Sequence, residues 1–149
     1  MSRIAMVSVR MVKDSSNNYP GLGRKIKSPD DVNDIVNRVL DINSSTVERF
    51  GILLLNTKNN VLGVHVLSVG TVNASLVSPR DVYQSALLAN AVQIIAFHNH
   101  PSGDSTPSKE DVSITKRLVE AGKIIGIELV DHIVIGDNNF YSFKSNGLI

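Results

Sequence analysis

Two histidines one residue apart stand ahead of a serine and an aspartate, in the spacing His98-x-His100-x7-Ser108-x2-Asp111. On an extended chain, alternate side chains share a face and lie about 6.6 Å apart along the strand. His98 and His100 can therefore converge on one point while Asn99 faces away. Pro101 and Gly103 then end the strand and turn the chain. Asp111 falls on a helix whose stripe includes Val112, Thr115, Leu118 and Val119, so its carboxylate points inward. A buried carboxylate is costly unless something positive meets it.

Two imidazoles and one carboxylate make a three-ligand zinc site that keeps a fourth position for water, the catalytic arrangement. Zinc lowers the pKa of bound water from about 15.7 to about 7 and polarises a carbonyl oxygen. Such a site also needs a carboxylate to shuttle protons and a donor near the oxyanion. Ser108, between His100 and Asp111, is placed to be that donor. Blander readings stand beside these: a lone histidine pair is more often structural, and Ser108-x-x-Asp111 is also a capping box.

The elements that must position these groups carry a repeated start signal. Ser28-Pro29-Asp30-Asp31 opens a helix with apolar residues at Val32, Ile35, Val36, Val39 and Leu40. Ser28 suits the N-cap, Pro29 the first helical position and Asp31 the third. Ser78-Pro79-Arg80-Asp81 repeats the pattern. Thr106-Pro107 predicts a third helix running to about Ala121 and capped by Gly122; in that register local capping does not explain Asp111. Phe50–Leu55 and Val61–Val69 flank a polar turn and read as a hairpin. Val92–Phe97, Ile124–Ile135 and Phe140–Phe143 read as further strands. With a first strand near the N-terminus and a polar loop at Asp14–Gly23, the expected order is strand, helix, hairpin, helix, strand, helix, hairpin. This is an α/β mixed sheet with helices packed on it. The expected organisation is an N-terminal strand and polar loop at 1–27, part of or appended to a domain at 28–149.

Composition bounds the function classes. The chain has 149 residues, 42% apolar and 19% charged, which suits one globular domain with a real core. Fifteen basic residues against fourteen acidic ones leave +1, whereas a general polyanion binder is strongly basic. Residues 1–30 hold six basic and two acidic side chains, net +4, so the remaining 119 net −3. The absence of cysteine excludes disulfide frameworks, thiolate zinc fingers, Fe–S clusters and cysteine nucleophiles. No apolar run approaches about 18 residues, and Met1–Arg10 lacks a signal-peptide core. The expected location is the cytoplasm, without a membrane partner.

The motif resembles the JAMM signature of zinc metalloproteases with the JAB/MPN fold, which is cytidine-deaminase-like. More narrowly, His98–Thr115, Asp131-His132-Ile133-Val134-Ile135-Gly136, Ser78-Pro79-Arg80-Asp81 and Val69-Gly70-Thr71 look like landmarks of its RadC-like branch. The resemblance covers about Ser28 to the C-terminus. It implies His98, His100 and Asp111 as zinc ligands and Ser108 as support for the bound water or oxyanion. It also implies Glu48 as general acid/base. The residues alone back Glu48 only by exclusion, because Glu110, Glu120 and Glu128 lie on or near elements that point elsewhere. Two departures stand out. The helix-hairpin-helix of many RadC-like proteins is not found, which weakens the DNA-repair role carried by the family name. Asn99 replaces the Ser or Thr found between the histidines of many eukaryotic-type members. His132 reads as a packed residue or as one that orients a ligand, Asp131 alternates to the opposite face, and His65 reads as structural.

The expected activity is zinc-dependent hydrolysis of a peptide or isopeptide amide. The alternatives are a JAB-type binding module without turnover and a DNA-repair-associated protein. Neither the substrate's identity nor the oligomeric state is readable from the residues.

Overall fold

A computed structural model of the chain describes residues 1–70 and 77–149; Thr71 of the Val69-Gly70-Thr71 landmark lies outside them. In chain order the elements are α1 (Pro29–Leu40), β1 (Arg49–Leu55), β2 (Val61–Val69), α2 (Pro79–Leu88), β3 (Gln93–Asn99), α3 (Lys109–Ile125), β4 (Glu128–Ile135) and β5 (Phe140–Ser142). A short 3-10 turn, Ile42–Ser44, follows α1. The five strands form one mixed sheet in the order β2-β1-β3-β4-β5. β1 pairs antiparallel with both β2 and β3, β3 and β4 run parallel across α3, and β4–β5 is an antiparallel hairpin.

Period-two alternation divides the core between the two faces of this sheet. Phe50, Ile52, Leu54, Ile94 and Ala96 pack with Val82, Tyr83 and Ala86 of α2 and Ile114 and Leu118 of α3. Leu53, Leu55, Ile95, Phe97, Ile133 and Ile135 pack with Val32, Ile35 and Val36 of α1. Each helix buries one stripe, and the result is a three-layer α/β fold of the kind the JAB/MPN resemblance implies. None of the described helices is long and apolar enough to cross a membrane.

Two helix starts stand where their signals put them. The Asp31 carboxylate accepts the Ser28 backbone N–H at 2.9 Å, and the Asp81 N–H donates to Ser78 Oγ at 3.2 Å. The third differs. α3 begins at Lys109 with Ser108 as N-cap, not Thr106, and runs on to Ile125, capped by Gly126 rather than Gly122. Ser108 wins because Asp111 three residues later can complete a reciprocal box, an option that Thr106 lacks with Lys109 at the equivalent place. The extension takes Ile124 and Ile125 from the expected strand, and β4 starts at Glu128.

The N-terminal strand is a further correction. Residues 1–19 form no helix or strand, and Ile4, Met6, Val7, Val9 and Val12 are exposed. A strand needs a neighbour's backbone to hold it. The first such pairing comes only at Lys25, which bridges antiparallel to Asn60 just before β2.

α2 and α3 approach closely at one glycine. The buried Tyr83 hydroxyl donates to the Leu118 carbonyl at 2.6 Å, and burial pushes its pKa up to about 12. A Cβ on Gly122 would press on the Ile127 carbonyl oxygen and come within 2.5 Å of the Tyr83 hydroxyl. Alanine gains about 1 kcal/mol of helix propensity. Overpacking costs about 1–3 kcal/mol and a lost hydrogen bond about 1. Gly122→Ala is therefore expected to destabilise by roughly 1–3 kcal/mol in chemical denaturation; unchanged or greater stability would contradict this packing.

Candidate metal centre

The centre forms where the end of β3 meets the start of α3. Phe50 pairs with His98 across β1–β3, and Val134 pairs with His98 across β3–β4. His98 thereby extends the Ile94–Ala96 row, the row facing α2 and α3. His100 continues the extended path beyond the strand, its N–H donating to the Ile135 carbonyl at 2.8 Å.

The next loop is anchored against the β4–β5 turn. Asp137 N–H donates to the Gly103 carbonyl at 2.8 Å, and Gly136 is so close to that carbonyl that no side chain fits. Gly103 itself has φ +87, a left-handed backbone that favours glycine. The same loop brings the Asp104 carbonyl to His100 Nδ1 at 2.7 Å, which leaves Nε2 facing inward.

Asp111 is placed by its own helix start. Its Oδ2 accepts the Ser108 backbone N–H at 2.8 Å, and its N–H donates to Ser108 Oγ at 3.1 Å. The two readings of Ser108-x-x-Asp111 are thus one structure, because the capping box also aims the carboxylate. Oδ1 lies 3.1 Å from His98 Nε2 and Oδ2 lies 3.2 Å from His100 Nε2. The two Nε2 atoms are 3.0 Å apart.

His98, His100 and Asp111 thus form a group that could hold a metal ion. Its spacing fits one, because tetrahedral bonds of about 2.0–2.1 Å place neighbouring donors roughly 3.3 Å apart. The donors fit as well: inward imidazole lone pairs and a carboxylate repel at such distances unless a cation or proton lies between them.

The electrostatics follow from this crowding. Burial pushes the Asp111 carboxyl up, but the imidazoles of His100 and His98 and the Ser108 N–H outweigh it, holding the group well below the usual carboxylate range. The Asp111 carboxylate beside His100 raises that imidazole's pKa against an opposing desolvation, and the Asp104 carbonyl and the charge of Glu48 raise it further. Glu48 is half-buried at the head of β1, whereas Glu110, Glu120 and Glu128 are exposed.

Asn99 contributes something that the alternation did not reveal. It faces away from His98 and His100, as expected, and its side chain takes the Arg49 N–H at 2.8 Å and donates to the Val47 carbonyl at 3.0 Å. These two contacts bracket Glu48. The signal lay in cross-strand register, which a single strand's pattern does not contain.

His132 is fully buried, stacked on Phe143 with ring centroids 4.9 Å apart and edge-on to Phe50. Its Nε2 lies 2.8 Å from His98 Nδ1. Burial and the neighbouring His98 hold its pKa well below the ordinary range. Asp131 points elsewhere, accepting from the Ser142 hydroxyl at 2.6 Å and the Lys144 N–H at 2.9 Å. His65 is exposed on β2.

A polar cleft of about 300 Å³ opens beside His100, lined by Asn43, Ser45, Ser102 and Asp137 among others. A larger apolar cavity of about 450 Å³ between α2 and the end of α3, at Tyr83, Leu87 and Ile125, includes none of the three donors. The chemistry therefore favours the smaller one.

Comparison with known proteins shows the family. A family model described as a RadC-like JAB domain matches residues 26–148. A UPF0758 protein of Desulforamulus reducens is 52% identical over 124 residues, which are 83% of this chain and 54% of that relative. A UPF0758 protein of Alkaliphilus metalliredigens is 50% identical over 125 residues, 84% of this chain and 53% of that protein. One from Methanosarcina mazei is 45% identical over 126 residues, 85% and 54%. The chain spans about half the length of the curated relatives it matches.

The Asp111 carboxylate beside His100 favours the protonated imidazole, and a metal must displace that proton to bind. Because the His100 pKa is raised above the ordinary 6.5, affinity is expected to climb with pH through neutrality and to level off above the raised value. Zn2+ titrations across pH check this; an affinity that is flat from mildly acidic to mildly alkaline buffer would contradict it.

Proposed function

The chain belongs to the RadC-like JAB domain family, and from that premise we propose that it is a zinc-dependent hydrolase of peptide or isopeptide amide bonds. One observation carries the reading. His98 Nε2, His100 Nε2 and the Asp111 carboxylate converge at 3.0 to 3.2 Å beside an open polar cleft. These three groups would hold the ion, and two imidazoles with one carboxylate are a donor set that suits zinc. When bound, zinc supplies Lewis acidity and a water acidified to near neutrality.

The chain's own residues supply the remaining chemistry. The Glu48 carboxylate takes the proton of the attacking water and delivers it to the leaving amine nitrogen. Its influence on the charge of His100 and the Asn99 bracket around its backbone support that role. Ser108 Oγ accepts the Asp111 N–H, and its own proton is directed to the substrate carbonyl oxygen as negative charge develops there. The capping contact fixes the hydroxyl's position before substrate arrives.

Freshly purified, unchelated protein is expected to carry about one zinc per chain by elemental analysis, and His98→Ala or Asp111→Ala to lose it. Glu48→Gln is expected to retain zinc while lowering cleavage of any amide or isopeptide probe that the wild type turns over by roughly 10²–10⁴-fold. Zinc-free wild type overturns the reading, as does undiminished turnover by Glu48→Gln. Bound zinc with no cleavage across a broad probe panel makes the chain a binding module instead.

A further inference from the structure

We propose that Thr115 and His132 are positioning residues that hold His98 in the one tautomer able to bind a metal through Nε2. The proposal rests on the metal-centre reading above and deepens it. Its basis is a chain of three contacts running inward from α3. Thr115 Oγ1 lies 2.7 Å from the Asp111 backbone carbonyl and 2.7 Å from His132 Nδ1, and His132 Nε2 lies 2.8 Å from His98 Nδ1. Thr115 and His132 are both buried, at 1% and 0% exposure, so water does not offer an alternative partner.

The direction of every proton in this chain follows from its outer end. A carbonyl oxygen can only accept, so the one hydroxyl proton of Thr115 must lie between Oγ1 and the Asp111 carbonyl. Were it turned toward His132 instead, two oxygens would face each other at 2.7 Å with no hydrogen between them. Thr115 Oγ1 must therefore accept from His132, which places the His132 proton on Nδ1. A neutral His132 then offers a lone pair at Nε2. His98 must donate to it from Nδ1, and His98 Nε2 is left with its lone pair turned toward His100 and Asp111.

The opposite tautomer has a local attraction of its own. With its proton on Nε2, His98 would donate to Asp111 Oδ1, 3.1 Å away, and the centre would be closed by its own hydrogen bond. Thr115 opposes that collapse through the intervening His132. Phe50 and Phe143, packed on His132, keep the ring from flipping, which would put carbon atoms where its two nitrogens now stand.

Two-bond 1H–15N correlation spectra of the metal-free wild type, in mildly alkaline buffer, are expected to show His98 and His132 as the Nδ1–H tautomers. Thr115→Val removes the hydroxyl at nearly constant volume, and the Asp111 carbonyl keeps its partner in the helical ladder. This variant is expected to populate the Nε2–H tautomer of His98 and to bind Zn2+ about 10–100-fold more weakly in competition with a chromophoric chelator. Thr115→Ser is expected to restore both readouts. His98 protonated at Nε2 in the wild type overturns the proposal, as does a Thr115→Val protein that matches wild-type Zn2+ affinity. A wild type that binds no Zn2+ defeats the metal-centre reading, while the tautomers still decide the relay. Should Thr115→Val fail to fold, the wild-type tautomers decide alone.

Discussion

The Asp111 carboxylate is the interaction on which the rest depends. It is buried, and a charge in that position survives only where enough partners meet it. The Ser108 N–H, His98 and His100 all do so. One of these contacts is a helix cap, which means that the rule starting α3 also aims the Asp111 carboxylate. A capping box is worth about 1 kcal/mol as a stabilising device. Here it fixes the carboxylate against the end of a strand, and folding and site assembly become one event.

The strand side has the same economy. Parity along β3 sends His98 toward α3 and Asn99 toward α1. The histidine row and the Glu48 bracket therefore come from adjacent residues on opposite faces. The Pro101–Ser105 loop then carries His100 onward by holding the Asp104 carbonyl against its outer nitrogen. Each ring thus has one nitrogen committed outward, His100 to a backbone carbonyl and His98 to His132. Fixing the outer atom is how a protein orients an imidazole, and two independent anchors leave both inner nitrogens facing Asp111.

Much of this was legible in the chain. Alternation and spacing identified the β1–β2 hairpin, the first two helix starts and the convergence of His98, His100 and Asp111, because each is a local periodicity with a local cause. The N-terminal strand failed because alternation says nothing about whether a partner backbone exists. The start of α3 was misplaced because Thr106 and Ser108 both resemble caps, and only the reciprocal contact with Asp111 separates them. The contacts of Asn99, Asp104 and Thr115 are not readable from the sequence. Asn99 acts through cross-strand register, Asp104 through a loop's path and Thr115 through the packing of α3 on β4, and none of these leaves a pattern along the chain. His132 was half legible: its apolar setting was plain, but its contact with His98 depended on the parallel pairing of β3 with β4.

The account comes down to where a single cation sits and which atoms hold it. Crystals of the protein grown with zinc, with anomalous data collected across the zinc absorption edge, would test this most directly. The account predicts one strong anomalous peak bonded to His98 Nε2, His100 Nε2 and a carboxylate oxygen of Asp111, at about 2.0–2.2 Å. A peak bonded through either Nδ1, or a centre without zinc while the ion binds elsewhere on the chain, would contradict it.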